Sequence, residues 1–312
     1  MRYYRIEIGG DIPATYTSYV NGAVDPGALQ IELDITEYPF ATPAGNSMVR
    51  VWGVSLQTIS QASDFNGAPI NVYVGMSKGL PLANPLQAGL VCSGTILQAF
   101  GNWIGTDMTL DLIIIADGGA TQGDPKNFVF NWKKGQPLNE VISSTLATAY
   151  PSYTSQINID PNVVLSQDET AYFQTIEQFA QYIKSMSATV IGGTYAGIDI
   201  VLKDGQFNVY DGTTQQNPIS INFTDLIGQP TWIGPNIIQF NTVMRADLSV
   251  GDYIKFPTTQ VTTTAPSQSQ TRDKSAFQGV FAINYVRHVG NSRQPDAQSW
   301  ISTFNCYPVT TA

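Results

Sequence analysis

The spacing of apolar residues changes twice along this chain, and that change sets the order of its parts. Leu29, Ile31, Leu33 and Ile35 alternate with polar residues, the period of two that marks a half-buried strand. Residues 48–54, 70–74, 91–103 and 108–116 read as further strands, and turn residues at Asp25-Pro26-Gly27, Asn66-Gly67 and Asp117-Gly118-Gly119 separate them. Only Leu56, Ile59 and Ala62 follow helical spacing here, so a short helix interrupts this first β block, residues 1–125. Between 126 and 217 the period becomes helical. Pro137 sits where a first helical turn tolerates proline, and Leu138, Val141, Ile142, Leu146 and Ala149 follow as one apolar face. A second helix is expected over 170–186, with Tyr172, Phe173, Ile176, Phe179, Ala180 and Ile183 as its stripe. Residues 156–165 between the helices look strand-like, and Asp204-Gly205 predicts a tight hairpin after Gly192-Gly193. From 218 to 312 the alternation returns: 219–223, a break at 226–229, 237–244, a strand opening at Gly251-Asp252, another over 277–288, and one around Trp300. No sequence repeat links the two β blocks, although both end in long hairpins.

One stretch fits neither period. Residues 257–275 are rich in Thr, Ser and Gln and too poor in apolar residues to order themselves. They are expected to form a long hairpin loop that docks on a partner. The whole chain shares this neutrality: charged residues make up 12%, about half the usual share. Solvent-facing positions must then be mostly Thr, Ser, Gln, Asn and Gly, which suits burial between proteins or a neutral extracellular surface. A net charge of −9 without a basic run argues against binding to a phosphate backbone. The two cysteines, Cys92 and Cys306, fall in separate strands and are expected as free buried thiols, as suits a reducing cytoplasm. The N-terminus lacks the apolar core of a signal peptide, and no stretch nears the roughly 20 apolar residues of a membrane helix.

The residues that could carry chemistry do not assemble into a pattern. The chain has one histidine, His288, at a strand end, which leaves little room for a triad or a zinc site. Asp-Gly pairs at Asp117, Asp204, Asp211 and Asp252 lack the third residue of aspartic peptidases and sit at turns or strand starts. Gly135-Gln136-Pro137-Leu138 has the opening of a peptidoglycan-binding LysM repeat, but the helices that follow are too far apart. Gly192-Gly193-Thr194 lacks the lysine of a phosphate loop. Trp52, Trp103, Trp132, Trp232 and Trp300 lie in different strands, as core anchors do. No catalytic, cofactor-binding or metal-ligating residue is therefore expected, and the chain is not expected to be an enzyme.

The order of weak motifs resembles one family. Gly251-Asp252, Ile254 and Pro257 precede a loop; Gly279, Phe281, Val286, His288 and Gly290 mark a strand; Trp300, Thr303 and Phe304 close the block. Upstream, residues 51–54, 55–62, 72–75, 78–87 and 93–112 run as strand, helical turn, strand, insert and hairpin. These features resemble the baseplate hub proteins of contractile phage tails, the family of the Mu-like hub and the late-control protein D. The resemblance implies two tail-tube-like β-barrels, residues 1–125 and 218–312, flanking a small α/β domain at 126–217, mainly β overall. It implies a structural homotrimer that joins a six-fold tail tube to a three-fold spike and nucleates tube assembly. Partners would be further copies, the tail tube protein, the central spike, and possible contacts with the tape measure and other baseplate proteins. DNA would only pass through the lumen, and no membrane would be touched in the resting particle. The location would be the virion tail baseplate of a phage or a tailocin, assembled in the host cytoplasm. Residues 30–36 and 106–111 are the expected channel wall, with net negative charge and with the basic residues mainly elsewhere. The other readings are a tail-tube or distal-tail protein forming a hexameric ring, and a carbohydrate- or peptidoglycan-binding adhesin.

Overall fold

A computed structural model describes residues 1–40, 47–77, 84–116, 126–193, 195–203, 206–213, 217–257 and 277–309. Most of the polar segment 257–275, Asp117-Gly118-Gly119 and the Asp204-Gly205 turn lie outside the described residues. The first block holds β1 (Arg2–Ile8), β2 (Ala14–Thr17), β3 (Tyr19–Val20), β4 (Ala23–Val24), β5 (Gln30–Glu37), β6 (Ser47–Trp52), β7 (Pro69–Met76), β8 (Gly89–Ile104) and β9 (Asp107–Ala116). Helix α1 (Leu56–Ser60) lies between β6 and β7, and the Ser55 hydroxyl caps it by accepting the Thr58 N–H at 3.1 Å. The middle block holds β10 (Phe128–Trp132), α2 (Leu138–Ala149), β11 (Thr154–Asn158), β12 (Glu169–Phe173), α3 (Ile176–Ile191), β13 (Asp199–Lys203) and β14 (Gln206–Tyr210). The last holds β15 (Ile219–Ser220), β16 (Thr231–Gly234), β17 (Ile237–Val243), β18 (Tyr253–Lys255), β19 (Phe281–Asn291) and β20 (Trp300–Pro308). The fold is mainly β with an α/β insertion, as the periods predict.

The second helix starts later than its apolar spacing predicts. Residues 169–173 pair as β12 with β10, Phe128 opposite Phe173 and Val129 opposite Tyr172. Thr175 is extended, and its hydroxyl accepts the Gln178 N–H, so the helix begins only at Ile176. Phe173 still reaches the insertion core, with its ring centroid 5.4 Å from that of Phe179, but it does so from a strand. Tyr172 points outward and is exposed. Two predicted strands are also shorter than expected. Alternation at 219–223 yields only β15 before a 3-10 turn at Phe223–Asp225, and 156–165 yields β11, which ends at Asn158.

The two β blocks share one sheet. Its order is β16-β17-β20-β19-β5-β6-β9-β8-β7-β1-β2, with β18 branching from β19 and β15 from β18. The seam between blocks is antiparallel pairing of Val286–Asn291 in β19 with Glu37–Glu32 in β5. On one side of this sheet Ile31, Leu33, Ile35, Val49, Val51, Leu110, Leu112 and Ile114 are buried against Tyr4, Ile6, Ile70 and Val72, so the first block curls around its own core. The last block does the same around Ile238, Phe240, Ile254, Phe281, Val286 and Phe304, where Phe240 and Phe304 stack at 4.8 Å.

The blocks also repeat a plan that their sequences do not. In chain order, β5 to β9 assemble as β5-β6-β9-β8-β7; β16 to β20 assemble as β16-β17-β20-β19-β18. Each long hairpin carries a register irregularity on its first strand, between Ile96 and Gln98 in β8 and between Ile283 and Tyr285 in β19. The insertion is fastened to this frame by the Phe40 N–H donating to the Ile200 carbonyl at 2.9 Å, and by Val201 and Tyr210 entering the last block's core.

Candidate assembly interface

Strand alternation leaves one face of the shared sheet polar. On it, Glu32, Arg50 and Asp111 lie side by side across β5, β6 and β9. The Arg50 guanidinium donates to both Asp111 carboxylate oxygens, at 2.5 and 3.0 Å, and Asn102 donates to Asp111 at 3.1 Å. That hydrogen-bonded pair holds the Arg50 pKa above its ordinary value. Across the seam, Arg287 donates to both oxygens of Asp34, at 2.8 and 2.6 Å, and Asn291 donates to Glu32 at 2.9 Å. Over β5, β6, β8, β9, β17, β19 and β20 this face carries four carboxylates, Glu32, Asp34, Asp107 and Asp111, and two guanidiniums, Arg50 and Arg287. The strands expected to be acidic wall, 30–36 and 106–111, hold no arginine themselves, but Arg50 of β6 and Arg287 of β19 lie beside their acids.

Behind the seam the packing is close. Gly290 lies so near Trp300 that a Cβ there would stand 2.7 Å from the indole, and Trp300 Nε1 donates to the Gly75 carbonyl at 2.9 Å. Arg245, 3% exposed, donates to both oxygens of Asp247 and to Asp225 at 3.1 Å, while Gln87 of the first block also donates to Asp225. His288 is buried in the same region with Nδ1 2.8 Å from the Ser302 hydroxyl, which accepts the Arg245 N–H. The described Asp-Gly aspartates serve turns. Asp211 accepts N–H groups of Asp160 and Thr213 and the Tyr195 hydroxyl, and Asp252 accepts the Ser249 N–H. Gly192 ends α3 with positive φ, in the manner of a helix stop. Among the described residues no three His, Cys, Asp or Glu side chains are grouped to hold a metal. Cys92 and Cys306 are buried thiols that are not joined in a disulfide, and burial pushes the Cys306 thiol pKa up.

Two edges of the sheet are unlike the rest. Strand β8 pairs with β7 only as far as Thr95, and β16 pairs only with β17. Among the described residues no strand meets the outer edge of Ala99–Ile104 or of β16. Both edges carry large apolar side chains in solvent: Phe100, Trp103 and Ile104 on one, Trp232 and Ile233 on the other. Trp132 and Trp300 are core anchors as expected, but Trp103 is 64% and Trp232 45% exposed, because one sits at a hairpin tip and the other on an edge strand. Sequence position alone gives no sign of this, since edge and tip are defined by pairing partners far along the chain.

No family model and no curated sequence matches the chain. Solved structures do match. The 43 kDa tail protein of prophage MuSo2 from Shewanella oneidensis superimposes with a TM-score of 0.52 at 8% identity, over 99% of this chain and all of that one. A tail protein from Neisseria meningitidis MC58 gives 0.53 at 10% identity, over 98% and 96% of the two chains. The E. coli c3393 protein, a type VI secretion component with structural similarity to bacteriophage T4 tail proteins, gives 0.50 at 11% identity over 94% and 76%. The chain therefore has the fold of these phage-tail and secretion-system proteins.

Proposed function

We propose that this chain is a non-enzymatic structural subunit of a contractile phage tail, the baseplate hub, which works as a homotrimer. One observation carries the reading: a single chain holds the same five-strand plan twice, joined edge to edge in one sheet. Three such chains offer six equivalent blocks, which meets a six-fold tube on one side and a three-fold spike on the other. The polar sheet face would then line the channel. Over β5, β6, β8, β9, β17, β19 and β20 its four carboxylates and two guanidiniums leave it weakly acidic, so phosphates passing within a Debye length of about 8–10 Å of these strands find no basic stripe to hold them. Partners on this reading are the tail tube protein above and the central spike below, within the virion tail.

Light scattering on the purified full-length chain across a concentration series tests this. A trimer is expected. A hexamer would favour a tail-tube or distal-tail protein instead. A monomer that binds glycans through its exposed tryptophans would favour an adhesin.

A further inference from the structure

We infer that copies of this chain join by pairing the outer edge of Ala99–Ile104 in β8 with β16 of the next copy. This rests on the reading of the chain as a ring subunit and names the contact that closes the ring.

The argument starts from the seam already present. Within one chain, the outer half of β19 pairs with β5. By strand order, β19 is the counterpart of β8, and β5 is the counterpart of β16. A head-to-tail ring of equivalent blocks needs the same seam between chains, hence β8 against β16. Neither edge has a strand partner among the described residues; the end strands β2 and β15 also have a bare edge, but they are not counterparts of the filled seam. The molecule thus carries one filled seam and both halves of an unfilled one.

The registers fix which residues meet. Asp34 faces Met48, which faces Ile113, which faces Gln98, the residue just after the β8 irregularity. Thr231 faces Gln239, which faces Asn305, which faces Tyr285, the residue just after the β19 irregularity. Thr231 is therefore the counterpart of Asp34. Asn102 lies as far beyond Gln98 as Val289 lies beyond Tyr285, so Asn102 is the counterpart of Val289. Val289 pairs with Asp34 in the filled seam, so Asn102 of one copy should face Thr231 of the next. Gly101 then faces Trp232, and Trp103 falls diagonal to Trp232, within reach of an aromatic side chain. Pro230 comes next and has no N–H to give, so the ladder stops there.

The exposed side chains agree with this. An unpaired edge bearing tryptophan and isoleucine invites indiscriminate pairing unless something covers it. Burial of Trp103, Ile104 and Trp232 between copies would remove that hazard and supply the apolar anchors typical of protein contacts.

Cysteines placed at the paired positions give the test. Full-length N102C/T231C, mildly oxidised, should become a covalent trimer as the main product. Asn102→Cys alone and Thr231→Cys alone should remain unlinked, and a mixture of the two single variants should yield dimers only. V20C/T231C, with the first cysteine at an exposed site away from both edges, should not link. A trimer by light scattering that fails to link through N102C/T231C overturns the seam and leaves the hub reading standing. Self-linking of Thr231→Cys would show a two-fold contact and overturn the seam. A chain monomeric at every concentration overturns both.

Discussion

Strands β8 and β19 hold the same place in their blocks, and their outer halves meet opposite surroundings. The outer half of β19 is roofed by β5, closed by the Arg287–Asp34 pair, and pressed onto Trp300 through Gly290. The outer half of β8 ends in solvent with Trp103 at the position that corresponds to Gly290. Below it, Gly101 admits α1 so closely that a Cβ would stand 2.5 Å from the Ile59 carbonyl oxygen. The contrast separates a filled edge from an open one on the same strand plan: where β5 closes on β19, a glycine lets it come close; where, among the described residues, no strand covers the outer half of β8, large apolar residues stand at the edge.

The comparison can be broken at its strongest point first. Arg245→Met removes a buried guanidinium shared by Asp247 and Asp225, beside the link to Gln87. Its loss leaves carboxylates without their counter-charge and should cost about 3–5 kcal/mol in urea unfolding. Next, Gly290→Ala forces a methyl against Trp300 and Leu33 and should cost about 1–3 kcal/mol, whereas Trp103→Ala at the matching place should change monomer stability by less than about 0.5 kcal/mol. Equal losses at the two positions would remove the distinction between filled and open edges. Asp34→Asn breaks the half-exposed pair that crosses the seam and should cost only about 0.2–1 kcal/mol, less at high salt.

The insertion supplies the smallest effect, seen as a slope with pH. Burial raises the Asp199 pKa even though Lys184 donates to it at 2.7 Å. A carboxyl whose folded pKa is raised binds more protons folded than unfolded between those two values. Stability therefore falls as pH climbs from the ordinary carboxylate range through the raised value. Asp199→Asn should flatten that fall, with the variant gaining on the parent as pH rises. A parent whose stability instead rises across that window would show that the lysine outweighs burial.

Much of this was legible in the residues, and the failures have physical causes. Ile31, Leu33 and Ile35 announced β5 because a strand with one buried face must alternate. Leu138 to Leu146 announced α2 for the matching helical reason. Tyr172 and Phe173 misled because two aromatic residues before Ile176 fit a helical stripe as well as the end of a strand; the Thr175 cap decides between them. Strand β16 went unseen because four residues, Thr231–Gly234, carry too little pattern, and β10 because its alternation is as brief. The repeated plan left no trace in sequence at all. Pairing order constrains only where residues point, so Ile96 and Ile283 can match while Leu97 and Asn284, at the same irregularity, do not. The open edges, and so the candidate interface, follow from that hidden order.

The seam between β5 and β19 also sets a timetable for synthesis. Arg287 and Asp34 are 253 residues apart, so the first block can complete its own strands long before its partner strand exists. At about 5–20 residues per second, β5 stays an uncovered edge for tens of seconds on the ribosome. Glu32, Asp34 and Glu37 along it are the kind of charged residues that discourage a bare strand from pairing with a neighbouring nascent chain. The acids that later meet Asn291 and Arg287 would first act as guards, and chains that lack them should aggregate while they are being made.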